Sequence, residues 1–147
     1  MRKLVIYTLL FFCQVIMAQS ASEAEYLFNS KQYVKAKTMY EALLKKKPND
    51  ALNNYRLARC CYELNQYEDA VKSFERSGNR YTLKDLYLGE AYFHTYRFDL
   101  SVTAYQTFIA TLPPADERLE ELNLKLKKSE LAARLLNRVE DIAVVDS

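Results

Sequence analysis

"KQYVKAKTMYE" at residues 31–41 returns, little altered, as "NQYEDAVKSFE" at residues 65–75. Each has Gln-Tyr, an alanine three residues after the tyrosine, an aromatic four further on, and a Glu. Ala36 and Ala70 lie 34 residues apart. A third copy, "YLGEAYFHTYRFDLSVTAYQTF", starts at Tyr87 and puts Ser101 in the alanine place, 31 residues after Ala70. Tyr33, Tyr67 and Phe98 precede the three anchors by three residues, and Tyr40, Phe74 and Tyr105 follow them by four. Ala24, Ala58 and Gly89 stand twelve before. Apolar residues three and four apart within each copy dictate helices. Pro48 and Pro113 stop the second helix of a copy, and Gly78 does so in the short middle copy. The spacing therefore predicts helices near 20–30, 33–46, 51–64, 67–77, 82–95 and 98–111.

One such helix pair cannot bury its apolar face alone, so copies must stack and share a core. The period, the Leu-Gly-x-x-Tyr element at "LGEAY" (88–92) and the closing prolines resemble the tetratricopeptide repeat, a helix–turn–helix unit. The resemblance covers residues from about 20 to 115. It implies an all-α solenoid of three units, about 17–50, 51–81 and 82–115, in a domain spanning 19–140. Small residues then let paired helices approach, and the aromatics fill the wedges between units. A seventh helix, about 116–140, covers the last unit with Leu119, Leu122, Leu126, Ala133 and Leu136. Its start is acidic and its middle basic, the order the helix dipole favours. Leu124, Leu131 and Leu135 lie on another side, more apolar surface than a cap requires. The final "DIAVVDS" reads as an extended tail over 141–147 or the start of a further domain.

Residues 1–18 read as a secretory signal sequence: Arg2 and Lys3, an apolar run from Leu4 to Met17, then Ala18 at the cleavage point. The run is shorter than the roughly 20 residues a spanning helix needs. Of 21 basic residues, 19 remain after removal of this segment, against 19 acidic ones. A formally neutral mature chain gives no electrostatic reason to expect nucleic acid or an anionic membrane. Cys60 and Cys61 point about 100° apart on a helix and form no disulfide framework, so they read as small packing residues. Signal, repeats and tail together resemble the front of secreted Gram-negative envelope proteins, in which such repeats precede a β-propeller or an OmpA-like domain. The expected location is the periplasm or the outer-membrane surface.

No catalytic, metal or cofactor constellation is legible. His94 is the one histidine, with no Ser–acid partner pattern, and two glycines cannot build a phosphate loop. The resemblance instead implies a concave groove lined by the first helix of each unit. With Ala36, Ala70 and Ser101 as each unit's twentieth residue, the groove residues are Glu25, Phe28 and Asn29, then Tyr55, Arg56, Arg59, Tyr62 and Glu63, then Tyr87, Glu90, Phe93 and His94. Tyr with Arg is the composition of interaction hot spots. Arg56 and Arg59 are expected either to meet a partner's carboxylate or to bridge to Glu25, Glu63 or Glu90. The carboxylate clamp of chaperone-binding relatives is not matched, since its places hold Ala21, Glu25, Arg56, Leu83 and Tyr87. The expected function is a non-catalytic scaffold presenting its groove to a peptide or helix of another envelope protein. The alternative is a spacer that docks on a further domain of its own chain.

Overall fold

The computed structural model describes residues 20–145, with side chains through Val139. The expected signal sequence, with Gln19, and the last two residues lie outside that range. The described residues are all-α, with no strand, and fall into two compact units, Met1–Gly78 and Asn79–Ser147.

The first unit holds α1 (20–29), α2 (Tyr33–Lys46), α3 (Ala51–Glu63) and α4 (Tyr67–Arg76). Its core gathers Ala24, Phe28, Ala36, Tyr40, Leu43 and Cys60. Ala24, Ala36, Ala58 and Ala70 are fully buried, as the close approach of paired helices demands. The second unit holds α5 (Lys84–His94), α6 (Phe98–Ile109) and α7 (Leu119–Val145), and its core is built on Tyr105, Phe108 and Leu122.

The turns inside the three helix pairs are built alike. Lys31, Asn65 and Tyr96 each take positive φ, 57°, 57° and 60°, five residues before the anchor. Each closes the preceding helix with paired backbone bonds: Gln32 N–H to Leu27 O at 2.9 Å, Gln66 to Cys61 at 2.8 Å and Arg97 to Tyr92 at 2.9 Å. The left-handed residue also donates, at 3.0, 2.9 and 3.2 Å, to Phe28, Tyr62 and Phe93. This double closure is a Schellman motif, ordinarily built on glycine. An aromatic pair spans each turn edge to face: Phe28–Tyr33 at 5.7 Å, Tyr62–Tyr67 at 5.9 Å and Phe93–Phe98 at 5.4 Å. The aromatic ahead of each anchor thus fixes the bend within its own pair.

Between α2 and α3, Asp50 caps α3 by accepting from Asn53 N–H at 2.9 Å. Buried Asn54 donates to the Pro48 and Asp50 carbonyls, both at 2.9 Å, and ties the loop down. In the second unit Ser101 Oγ donates to Gly89 O at 2.7 Å and lies 2.9 Å from Ser129 Oγ. Both serines are fully buried, so this chain of hydroxyls fastens α5, α6 and α7 to one another.

The expected limits of the first six helices differ from the observed ones by a residue or two, while α7 begins at Leu119, three residues later than expected, and differs more at the C-terminus. There α7 continues to Val145, where an extended tail was expected from residue 141. No Gly or Pro interrupts "EDIAVV", and β-branched residues disfavour a helix only slightly.

Candidate functional site

Part of the expected groove set forms a cluster in each unit. In the first, Glu25 of α1 accepts from Tyr40 Oη at 2.9 Å and pairs with Arg56 of α3. The Arg56 guanidinium lies 4.8 Å from the Phe28 ring centre, and that of Arg59 lies 5.8 Å away. Arg59 also reaches Glu63 at 3.1 Å, one helical turn on. Both cations therefore lie over the same aromatic ring, each with a carboxylate beside it. Arg56 Nε is shielded and has no hydrogen-bond partner among the described residues.

Burial and hydrogen bonding to Glu25 hold the Tyr40 phenol well above its ordinary range, so it stays a donor. Phe28 and Tyr55 are buried, the latter with its ring 5.8 Å from Phe74. Neither offers much free surface. Tyr62 is half-buried and Asn29 stands exposed at the end of α1. The cluster is Glu25, Phe28, Arg56, Arg59 and Glu63.

The second unit repeats the arrangement with different cations. Tyr105 Oη donates to Glu90 at 2.9 Å, and Lys125 of α7 reaches the same carboxylate at 2.9 Å. His94 Nε2 lies 3.6 Å from the other oxygen. A cavity of about 180 Å³ is lined by Glu90, Phe93, His94, Tyr105, Lys125 and Lys128. Burial pushes the Glu90 pKa upward, but the bonds from Lys125 and Tyr105 with the charges of Lys125 and His94 outweigh it, and the carboxyl titrates below its ordinary value. The Lys125 pKa is raised: burial opposes its charge, and the bond and charge of Glu90 prevail. Tyr87 is half-buried on α5.

Tyr40, Tyr105, Lys125 and Lys128 were not among the expected groove residues. A signal existed for the tyrosines. Glu25–Tyr40 and Glu90–Tyr105 have the same fifteen-residue spacing, while the middle copy replaces that pair with Arg59 and Phe74. For the lysines no repeat spacing applied, because α7 stands outside the three aligned copies.

Among the described residues, no group of three His, Cys, Asp or Glu side chains could hold a metal. No helix there is long and apolar enough to cross a membrane. Cys60 and Cys61 are free and buried, and burial pushes their thiols up to about 12 and about 11, far from reactive thiolates.

Residues 27–82 match the tetratricopeptide repeat family, which supports that class for the chain. Among solved structures, the fold is similar to that of the TPR2B domain of yeast Sti1, solved as a pHsp70 complex. The identity is 13% and the TM-score 0.60, with 78% of this chain and 96% of that chain covered. The Sgt2 TPR domain from Aspergillus fumigatus is similar at 20% identity and a TM-score of 0.61, covering 83% of this chain and 82% of that one. No curated protein matches the chain. The all-α tetratricopeptide fold expected from the repeat is the one observed.

Proposed function

We propose that this chain is an exported, non-catalytic interaction module that holds a peptide or helix of another envelope protein against the groove face of α1 and α3. The observation that carries the reading is Arg56 and Arg59 resting together on the Phe28 ring. Stacking on one aromatic restricts two long side chains before any partner arrives, so less rotamer freedom is lost on binding.

Glu25 and Glu63 balance the two arginines within the cluster. A partner therefore exchanges ion pairs instead of meeting a bare positive patch. Selectivity comes from geometry, and salt weakens binding only modestly. The solved tetratricopeptide neighbour from yeast Sti1, with its pHsp70 complex, supports peptide capture as a use of this fold. The site chemistry differs from a carboxylate clamp, since Glu25 and Tyr87 occupy two of its places.

Export rests on the basic start, the apolar run and Ala18. It places the module in the periplasm or at the outer membrane, where its partners are other envelope proteins. The test compares wild type with the Arg59→Glu, Tyr62→Ala double variant as bait in crosslinked envelope extracts. The reading requires specific partners to disappear with the variant, while circular dichroism shows the fold unchanged. Every partner retained would overturn the groove assignment.

A further inference from the structure

Helix α7 packs on α6 through one side and leaves an apolar stripe on the other. Leu122, Ser129 and Ala133 are buried. Leu124, Leu131 and Leu135 are 54%, 52% and 52% exposed. At about 100° per residue these three leucines fall within about 40° of one another, nearly opposite Ala133. Their spacing, seven residues and then four, is that of a narrow coiled-coil seam. Lys128 stands in the same seam, four residues after Leu124 and three before Leu131, and Lys127, Arg134 and Arg138 flank it on one side, all exposed.

The charges select the occupant. A second copy paired in parallel would set Lys128 against Lys128. An antiparallel copy centred between Leu131 and Leu135 would set it near Arg138, again like against like. A bilayer surface asks for a broad apolar face, commonly with aromatic side chains, and this stripe is narrow and leucine-lined. A helix bearing carboxylates at and beside its own seam meets Lys128 and the flanking cations with opposite charge. Glu120 and Glu121 mark where the basic stretch begins towards the start of α7.

We propose that the outer face of α7 docks an acidic amphipathic helix of a partner protein, with Leu124, Leu131 and Leu135 against its apolar stripe and Lys128 against its carboxylates. None of these residues belongs to the cluster on Phe28, so binding there does not require the groove arginines, although Lys128 also borders the cavity beside Glu90.

The test uses the full chain and two synthetic helical peptides, identical in their leucine seam, one flanked by glutamates and one by lysines. Fluorescence anisotropy should show the acidic peptide binding at least about tenfold tighter than the basic one, and Lys128→Glu should narrow that preference by about tenfold. Leu131→Gln with Leu135→Gln should abolish binding and leave circular dichroism unchanged, because both side chains face out. Arg59→Glu should leave acidic-peptide binding intact, which separates this surface from the groove. Equal affinity for both peptides, or none for either, overturns the proposal. So does a dimer in sedimentation, or binding to phosphatidylglycerol vesicles, that the double leucine variant removes.

Discussion

Gly89 sits directly against the Tyr105 ring, and Gly89→Ala gives a sharp test of how the second unit is packed. A Cβ at this position would lie 2.8 Å from both Cδ1 and Cε1 of Tyr105 and 3.0 Å from its Cγ. Tyr105 is 2% exposed, and its hydroxyl is held by Glu90, so the ring cannot swing aside without breaking that bond. Overpacking of this kind costs roughly 1–3 kcal/mol. Replacing a helical glycine by alanine returns about 1 kcal/mol. The expected net effect is a loss of about 1 kcal/mol, up to about 2 if the ring hardly relaxes. Urea unfolding followed by circular dichroism measures it. The mechanism also fixes a coupling: in a Tyr105→Ala background the obstructing ring atoms are gone, and the same Gly89→Ala change should be neutral or stabilise by up to about 1 kcal/mol. Equal destabilisation in both backgrounds would refute the reasoning, as would an alanine variant more stable than wild type.

Three further outcomes are expected. Lys31 holds positive φ in an exposed turn, so Lys31→Gly should raise stability by about 0.5–1 kcal/mol in the same urea assay, the relief of a left-handed side chain less the added entropy of unfolded glycine. Glu90 has a lowered folded pKa, so its contribution is complete above the unfolded value of about 4.3 and is lost as pH falls through the folded one. The stability advantage of wild type over Glu90→Gln should accordingly be present at about pH 5 and shrink below about pH 4 as the carboxyl protonates. Cys60 and Cys61, buried and with raised pKa values, should resist a thiol reagent in the native protein at neutral pH and react at once in urea.

The helices were legible because their signal is local. Thirty-four residues between Ala36 and Ala70, with aromatics at fixed offsets, set where each helix begins and which small residues must be buried. The turns were not, since Lys31 and Tyr96 have no chemical liking for a left-handed backbone and adopt it because the aromatic pairs and double backbone closures impose it. Asn65 alone of the three is suited to it. The groove was legible as a set of places and not as a set of partners. Arg56 and Arg59 did pair with Glu25 and Glu63, one of the two arrangements expected, but the Phe28 ring beneath both is a tertiary contact between α1 and α3. Lys125 reaches Glu90 across thirty-five residues from a helix that belongs to no repeat, beyond the reach of periodicity. At the C-terminus, propensity was read too strongly, and Val144 and Val145 lie within the helix.

The central claim is that the face built on Phe28, Arg56 and Arg59 holds a partner's peptide. Its most direct test is to select ligands for the full chain from a displayed peptide library and map the tightest by amide chemical-shift perturbation. The account predicts the largest shifts at Asn29, Arg56, Arg59, Tyr62 and Glu63, with affinity lost in the Arg59→Glu, Tyr62→Ala variant. Shifts confined to other surfaces, with affinity unchanged in that variant, would contradict it.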